Sequence, residues 1–331
     1  MPAVRRLGVF VGEDNWTFFR EIYDDLSMHY ETVLFSQPTY RVPFLRERLN
    51  GWAFRRAVGS VLTSTDLCFF EWASNLLAPA SHLPHRARIV TRLHSFELLQ
   101  WAPRIDWGAV ARIIVLSRAM QTMFGERYPE HRDKLVVVRN GRSLSRFAPV
   151  QDRPFTFTIG MLGHIAPIKR VYEMVLVLHE LVVRGYPARL RLAGDPADDL
   201  RYNLAVHRLV RQLDLTDRVS FDGFVADTPA WLHQVDIFVS NSYWEGQQVA
   251  LLEAMAAGCY CLCHGWAGAD EVLPSANLFV TASELRDKII EHSRRSEIER
   301  HDARVRVREI ACQRFDITET CRQIRLVLDE L

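Results

Sequence analysis

Short apolar runs alternate along the chain with amphipathic segments of helical length. Valine, isoleucine and leucine are nearly continuous in the runs, which predicts strands that are buried on both faces. Such strands are typical of parallel sheets covered by helices. The predicted strands are residues 7–11, 31–35, 67–70, 87–93, 111–117, 134–138, 155–162, 189–194, 218–223, 236–241, 259–263 and 277–280.

The predicted strands form two series, which indicates an α/β protein with two doubly wound domains. Proline and polar residues interrupt the alternation around residues 146–155. We therefore predict one domain over residues 1–150 and a second over residues 151–314. The tail from about Arg304 to Leu331 is predicted to be helical. The pattern allows a helix at about 315–331 to pack back on the first domain.

The amino-acid composition is typical of a globular protein. The chain has 331 residues, of which 48% are hydrophobic and 24% are charged, enough for two apolar cores. No apolar run approaches the length of a membrane span. The N-terminal segment is a poor signal peptide, because its short apolar run is followed by acidic residues. We expect a cytoplasmic protein.

Charge is distributed unevenly along the chain. Residues 1–150 contain 20 arginine and lysine residues against 14 acidic ones, whereas the remainder contains 21 against 26. A mildly basic first half indicates an anionic partner without identifying it.

Three of the six cysteines, Cys259, Cys261 and Cys263, alternate along one predicted strand. A zinc site would need paired spacing and more ligands, and only His264 is nearby. We therefore expect small buried apolar side chains, with no metal and no disulfide bonds.

Two phosphate-binding motifs are absent from the sequence. It contains neither G-x-G-x-x-G nor G-x-x-x-x-G-K-[ST], which disfavours dinucleotide oxidoreductases and P-loop ATPases. Parallel sheets still bind ligands at the carboxyl ends of their strands. The loops that follow the predicted strands are therefore the candidate sites.

The stretch WEGQQVALLEAMAAGC follows predicted strand 236–241 and predicts a helix that ends at Gly258. Glu245 would lie just before this helix, where a carboxylate can accept hydrogen bonds from sugar hydroxyls. Glu253, two turns further on, could reach a ribose. A plainer alternative is that Glu245 complements the helix dipole and that Glu253 is solvated. Backbone amides at the helix start favour phosphate; they belong to Gln247, Gln248, Val249 and Ala250.

Three further loops contain candidate residues. Gly163 and Lys169 follow strand 155–162, and the lysine could neutralise a diphosphate or be an ordinary solvated side chain. His94 follows strand 87–93, with Glu97 behind it, and could bind a substrate oxygen or be structural.

Gly12 ends the first strand and permits close approach of the backbone to a ligand. The alternative is an ordinary strand-to-helix turn with Asp14 or Asn15 as the helix cap.

In order along almost the whole chain, these stretches resemble glycosyltransferase family 4. That family consists of retaining enzymes of the GT-B fold, with two Rossmann-like domains facing across a cleft. The segments that resemble it are RLHSFE (92–97), VVVRNGRSLSRFAP (136–149), GHIAPIKR (163–170), RLRLAGD (189–195), RVSFDGFV (218–225) and the E-x7-E region with its glycine-rich loop (236–273).

The resemblance implies a role for each candidate. Glu245 would bind donor-sugar hydroxyls near the reaction centre, and Glu253 would hold the ribose of a nucleotide sugar. Lys169 would bind the diphosphate, and His94 would contact the donor sugar from the other domain. The further donor-binding positions that it implies are Gly12, Gly163, His164, Gly246, Gln247, Gln248, Val249 and Ala250.

The sequence departs from the family pattern at several positions. His164 replaces the usual arginine, which lowers the positive charge expected around a phosphate. Gln247 and Gln248 follow Gly246 where the family has F-G, which changes the sugar loop. Arg142 occupies the position of a usual valine, and either it or Arg118 could supply the missing charge.

The resemblance implies a retaining, metal-independent transfer without a cofactor, in which the nucleotide sugar is a substrate. A UDP-sugar is favoured over a GDP-sugar, and the acceptor would be a glycan or a lipid-linked molecule in cell-surface polysaccharide or glycoconjugate synthesis. The basic amphipathic segment 41–62 could contact the inner membrane surface, or it could be a domain helix with a solvated arginine face. No nucleic-acid partner is expected.

The sequence leaves three alternatives open. One is another GT-B enzyme, such as a nucleotide-sugar epimerase or a phosphorylase, although only His94 is a convincing acid or base in the first domain. Another is a catalytically degenerate protein that only binds nucleotide sugar or partners. A NAD-dependent dehydrogenase is the most distant, because its glycine fingerprint is missing.

Overall fold

The computed structural model describes residues 4–12, 16–37, 46–147, 153–196 and 199–331. Three features of the sequence analysis lie outside these residues. They are the helix cap at Asp14 or Asn15, the predicted domain boundary at 150/151 and the first part of the basic segment, residues 41–45.

All predicted strands form, and each six-stranded sheet is parallel throughout. One sheet has the order β2-β1-β3-β4-β5-β6 and the other the order β12-β11-β10-β7-β8-β9. The strands are β1 Arg6–Phe10, β2 Glu31–Leu34, β3 Leu67–Phe70, β4 Arg88–Leu93, β5 Val110–Val115, β6 Leu135–Val137, β7 Thr158–Leu162, β8 Arg189–Ala193, β9 Val219–Gly223, β10 Ile237–Ser240, β11 Tyr260–His264 and β12 Leu278–Phe279.

Helices lie in most of the connections between strands, as parallel pairing requires, and three more follow the last strand within the described residues. They are α1 Trp16–His29, α2 Arg46–Ser64, α3 Leu77–Ala80, α4 Ser95–Gln100, α5 Arg118–Arg127, α6 Val171–Val183, α7 Leu200–Gln212, α8 Thr228–Leu232, α9 Val249–Ala256, α10 Ala282–Arg294, α11 Glu297–Arg314 and α12 Ile317–Asp329.

β7 begins three residues later than predicted, at Thr158 instead of residue 155. Phe157 has a φ of 58°, in the left-handed region, so the chain before Thr158 is not continuously extended. The Asp236 carboxylate accepts hydrogen bonds from the backbone amides of Thr156 (3.0 Å) and Thr158 (2.9 Å) and so stabilises this irregular start.

The chain forms two compact units. Unit 1 comprises Met1–Arg139 together with Ile317–Leu331, and unit 2 comprises Asn140–Asp316. Helix α12 therefore belongs to unit 1, although it follows unit 2 in sequence.

Unit 1 has an apolar layer on each face of its sheet. Helix α12 contributes Ile324 and Leu328, both fully buried, to the layer that also contains Leu7 and Val9 of β1. The hydroxyl of Tyr30 donates to the Asp329 carboxylate at 2.6 Å near the end of this helix. Helix α12 is thus an integral part of the unit 1 core.

Unit 2 also has an apolar layer on each face of its sheet. Cys259, Cys261 and Cys263 are buried in one of these layers, and burial raises the pKa of the Cys259 and Cys263 thiols to about 12. Within the described ranges, no three His, Cys, Asp or Glu side chains are grouped so that they could hold a metal ion. No described helix has the length and apolar character needed to cross a membrane.

We predict that Ile324→Ala lowers the free energy of unfolding by about 2–5 kcal/mol, because it opens a cavity in the unit 1 core. Leu326→Ala, on the same helix but 49% exposed, should cost less than about 0.5 kcal/mol. Urea unfolding of the full chain measures both. Equal losses for the two variants would contradict the placement of α12 in this core.

Candidate functional site

Strands β7 and β10 lie side by side at the centre of the unit 2 sheet, and the strands that follow each of them are added on opposite sides. From β7 the chain proceeds to β8 and β9 on one side, and from β10 to β11 and β12 on the other. Such a switch point leaves a crevice at the carboxyl edge of an open sheet. The loops that follow β7 and β10 both end at this crevice, and they contain Lys169 and Glu245 respectively.

Lys169 and Glu245 form an ion pair at this edge, although 76 positions separate them in sequence. Lys169 ends a short 3-10 turn, Pro167–Lys169, and Glu245 lies between β10 and α9. Both side chains are mostly buried, so each charge is stabilised chiefly by the other. The structure therefore brings together two of the predicted catalytic residues.

The loop after β7 is held against the loop after β8. The amide of Gly163 donates to the Ala193 carbonyl at 2.9 Å, and the amide of Ile165 donates to the Asp195 carbonyl at 3.1 Å. Gly194 has a φ of +129°, and a Cβ atom there would lie 2.2 Å from the Gly163 carbonyl oxygen. Only glycine fits at position 194, and this close packing positions the lysine loop.

The loop after β10 is tied to the lysine loop as well. Arg170, directly after Lys169, adopts the left-handed conformation with a φ of 53°. Its carbonyl accepts a hydrogen bond from the Asn241 side-chain amide at 2.9 Å, and the amide of Tyr243 donates to the Ile168 carbonyl at 3.3 Å. These bonds compensate for the unfavourable backbone conformation and fix the two loops relative to each other.

Helix α9 begins next to Glu245, at Val249, and Gly258 with a φ of +73° follows its end. The first amides of a helix have no partner within it, so they are available to an anion. The two glutamines before the helix turn their side-chain carbonyls inward. Gln247 accepts from the Asn140 amide at 2.6 Å, and Gln248 accepts from the Ser240 hydroxyl.

A small pocket lies at this edge of the sheet, and we call it the switch-point pocket. Ser242 is fully buried, and among the described residues its hydroxyl has no hydrogen-bond partner. Several of the polar side chains that line the pocket can donate hydrogen bonds, which suits a ligand with acceptor atoms. The residues that line it include Gly163, His164, Lys169, Asn241, Ser242 and Gln248.

Glu253 is buried in helix α9, with 6% of its surface exposed, which excludes the interpretation that it is a solvated helix residue. The guanidinium of Arg142 donates to its carboxylate at 2.5 Å, and both side chains are buried. The backbone amide of Arg142 in turn donates to the Phe315 carbonyl at 2.8 Å. Arg142 therefore neutralises Glu253. Arg118, the other arginine considered, begins α5 in unit 1.

A second cluster lies at the carboxyl edge of the unit 1 sheet, after β3 and β4 and next to the switch point between β1 and β3. Glu71 follows β3, and both of its carboxylate oxygens accept hydrogen bonds from Arg92, at 2.7 and 2.9 Å. The pair is almost completely buried. The Nε2 atom of His94, which follows β4, is 3.6 Å from Glu71.

His94 packs tightly in this cluster. Its ring stacks on Trp72 with centroids 3.9 Å apart, and its backbone amide donates to the Glu97 carboxylate at 2.8 Å at the start of α4. Burial lowers the pKa of His94 against the opposing effect of Glu71, and burial raises the pKa of Glu97 well above its usual value. Burial therefore favours the neutral form of the His94 ring, whose Nε2 atom is buried.

The remaining candidates lie in loops that follow strands or at the start of α9, as the sequence predicts. Gly12 follows β1 in unit 1, Gly246 is buried beside Glu245, and Val249 and Ala250 are the first residues of α9. His164 is exposed at the mouth of the switch-point pocket. The ligand-binding roles assigned to these residues stay predictions.

Sequence reasoning missed the side chains that support the candidates. Glu71 and Trp72 follow β3 directly, and Asn241 and Ser242 follow β10. Their positions directly after buried strands could have identified them as candidate site residues. No sequence pattern indicated that Arg142 would reach Glu253.

Comparison with known proteins agrees with this arrangement. Residues 156–294, all of which belong to unit 2, match the family model for Glycosyl transferases group 1. One curated relative is the UDP-Gal:alpha-D-GlcNAc-diphosphoundecaprenol alpha-1,3-galactosyltransferase of Escherichia coli, 27% identical over 146 residues, which are 39% of this chain and 36% of the relative. Another is the mannosylfructose-phosphate synthase of Agrobacterium fabrum, 30% identical over 149 residues, 40% of this chain and 33% of the relative. The chain thus spans about a third of the length of these relatives.

Solved structures match over almost the whole chain. Anabaena Alr3699/HepE, in complex with UDP and glucose, has a TM-score of 0.78 at 19% identity and covers 99% of this chain and 100% of its own. The sucrose-phosphate synthase of Thermosynechococcus elongatus has a TM-score of 0.79 at 15% identity, with 98% of each chain covered. The GT-B fold with two doubly wound units, predicted from the sequence, is confirmed.

We predict that Glu71→Gln destabilises the protein by about 3–5 kcal/mol, because it removes one charge of a buried ion pair. Glu31→Gln is the matched control, since Glu31 pairs with Arg6 at the exposed surface of the same unit and should contribute less than about 1 kcal/mol. Urea unfolding near pH 7 measures both. A loss for Glu71→Gln no larger than that of the control would contradict a structural ion pair at this position.

Glu97 should make stability depend on pH. Its folded-state pKa is raised, so folding favours the protonated acid, and that contribution is complete below about 4.5 and is lost as pH rises through the folded-state pKa. Glu97→Gln cannot ionise, and its oxygen can still accept from the His94 amide. The variant should therefore gain stability relative to the natural protein as pH rises from about 4.5. Urea unfolding at a series of pH values above about 4.5 measures the difference in stability between the variant and the natural protein. A difference that does not change with pH would contradict a raised pKa of Glu97 in the folded state.

Proposed function

We propose that this protein is a retaining glycosyltransferase that moves a sugar from a nucleotide sugar to a glycan or lipid-linked acceptor. A UDP-sugar is the favoured donor, and cell-surface polysaccharide or glycoconjugate synthesis is the setting. The observation that carries the proposal is the Lys169–Glu245 pair beside the start of α9, at the switch point of unit 2.

The pair supplies two kinds of recognition at one place. A lysine ammonium and the free amides of a helix start both stabilise phosphate, whereas a carboxylate accepts hydrogen bonds from sugar hydroxyls. A nucleotide sugar carries both groups next to each other, because its diphosphate is bonded to the sugar.

We infer that the ion pair opens when the donor binds. In this structure Lys169 and Glu245 neutralise each other. A diphosphate would take over the lysine, and Glu245 would then accept from sugar hydroxyls. Lys169 would keep a counter-charge in the diphosphate, and the partly exposed Glu245 carboxylate would keep hydrogen-bond donors in the sugar hydroxyls.

In the proposed chemical step, negative charge develops on the departing phosphate oxygen. The bond from the anomeric carbon to the phosphate oxygen breaks, and the bond to the acceptor oxygen forms on the same face of the sugar. The departing phosphate oxygen takes the acceptor proton, so no protein nucleophile and no metal are assigned. Lys169 and the helix start stabilise the growing negative charge, which is the largest contribution that a preorganised site makes.

Glu253 would bind the ribose hydroxyls of the donor. A carboxylate offers about four acceptor positions, so contact with Arg142 is compatible with a further hydrogen bond. Arg142 also holds the carboxylate in one orientation. This role suits a nucleotide whose sugar lies along α9, away from the diphosphate at its start.

For the acceptor, one relative is named for a substrate linked to diphosphoundecaprenol. Helix α2 of this chain buries Val58 and Leu62 and exposes Trp52, with Arg55 and Arg56 beside it. We propose that this exposed face makes peripheral contact with the anionic inner membrane surface, where a lipid-linked acceptor would lie. The same face also has the form of a domain helix with solvated arginines, which was the plainer alternative.

The direct test is incubation with UDP-glucose, UDP-galactose and UDP-GlcNAc, alone and with a lipid diphosphate-linked sugar. We expect UDP release that depends on the acceptor, and a product that keeps the anomeric configuration of the donor by NMR. Epimerised donor without an acceptor would favour an epimerase. Stabilisation by UDP in a thermal-shift assay without any transfer would favour a binding protein.

We predict that Lys169→Ala lowers turnover by about 100-fold or more, because the leaving diphosphate loses its cation. The melting temperature should fall, because Glu245 loses its charge partner, but the variant should remain folded at the assay temperature. Lys288→Ala is the matched control in the same unit, since that lysine lies on α10 and donates to the Ala276 carbonyl. Initial rates of UDP release compare the two variants. Turnover of Lys169→Ala close to that of the control would refute the diphosphate assignment.

A further inference from the structure

The side chain of Gln248 occupies an unusual place for a residue at a helix start. It is buried, it lines the switch-point pocket, and its carbonyl oxygen accepts a hydrogen bond from the Ser240 hydroxyl at the end of β10. A carboxamide whose oxygen is held by one partner has its Nε2 group oriented as well. Within the described part of the chain, that Nε2 group has no hydrogen-bond partner.

A second polar group in the same pocket points to a ligand. The Ser242 hydroxyl is fully buried and has no partner among the described residues. A buried hydroxyl without a hydrogen bond is costly unless something that binds there satisfies it. Ser242 and Gln248 line the pocket together with Lys169.

The charges around the pocket define the chemistry that it would accept. An ammonium, a carboxamide N–H and a hydroxyl are all donors, and a ligand with several closely spaced acceptors would satisfy them. A diphosphate meets this requirement. Arg142 does not supply a cation for it, because its guanidinium neutralises Glu253. His164, where the family pattern has arginine, is exposed at the mouth.

We propose that the Gln248 side chain is a further diphosphate-binding group, held in place by Ser240 and supported by the Ser242 hydroxyl. It supplies through Nε2 a hydrogen bond that offsets the absence of arginine at position 164. This inference rests on the proposed function, since it assigns a residue to the diphosphate of the nucleotide donor. It differs from the role of the helix start, because it concerns a side chain and not the backbone amides.

The test is isothermal titration calorimetry of the full chain with UDP and, separately, with uridine. Gln248→Leu keeps the approximate size of the side chain but removes its donor, so the Kd for UDP should rise about 10-fold or more. Gln248→Glu retains an acceptor for Ser240 and adds a negative charge, so its Kd for UDP should rise further. The Kd for uridine, which has no phosphate, should stay unchanged in both variants.

Two more variants control the interpretation. Gln212→Glu adds the same charge at an exposed position at the end of α7 and should leave the Kd for UDP unchanged. Ser240→Ala keeps Gln248 but removes the bond that orients it, so it should weaken UDP binding less than Gln248→Leu does. It serves as the test if either Gln248 variant fails to fold.

The outcomes separate this inference from the proposed function. If the natural protein binds no UDP, the proposed function fails and the inference with it. If the natural protein binds UDP and the Gln248 variants bind it equally well, the inference alone fails. Equal losses for UDP and uridine would also overturn it, because they would indicate a structural role for Gln248.

Discussion

Parallel pairing of every strand in both sheets is the constraint from which the rest of the structure follows. Because parallel neighbours must be joined by crossovers, all exit loops of a sheet meet at its carboxyl edge. Where the strand order reverses, two of those loops diverge and leave space between them. This explains why Lys169 and Glu245 meet after β7 and β10 in unit 2, and why Glu71 follows β3 beside β1 in unit 1.

Charge neutralisation inside the units is the second organising feature. Lys169 with Glu245, Arg142 with Glu253, and Arg92 with Glu71 each place opposite charges in contact away from water. A buried charge is tolerated only when it is paired, and removing one member costs more than the pair contributes. Lys169–Glu245 is the least buried of these three pairs and lies at a pocket, so under the proposed function it is the pair that would exchange partners with a ligand.

The sequence predicted the strands, the two-unit architecture and the loops that contain the candidate residues. It could do so because apolar runs bounded by polar loops are local patterns, and parallel topology then places the loops. It could not predict the partner of Glu253, since Arg142 is 111 positions away and reaches it only through tertiary packing. It also could not predict that His94 would turn Nε2 toward Glu71, because the orientation of a ring depends on what surrounds it.

The departures from the family pattern are better explained by a modified ligand site than by a decayed one. A site released from its function would be expected to leave substituted polar residues exposed or poorly satisfied, since nothing would select their partners. Here Arg142 contacts Glu253, Gln247 accepts from the Asn140 amide, and Gln248 accepts from the Ser240 hydroxyl. Arg142, Gln247 and Gln248 therefore each have a defined hydrogen bond within unit 2, which orders the loop before α9, whereas His164 is exposed. Preorganisation of this kind is what electrostatic stabilisation of a leaving group requires.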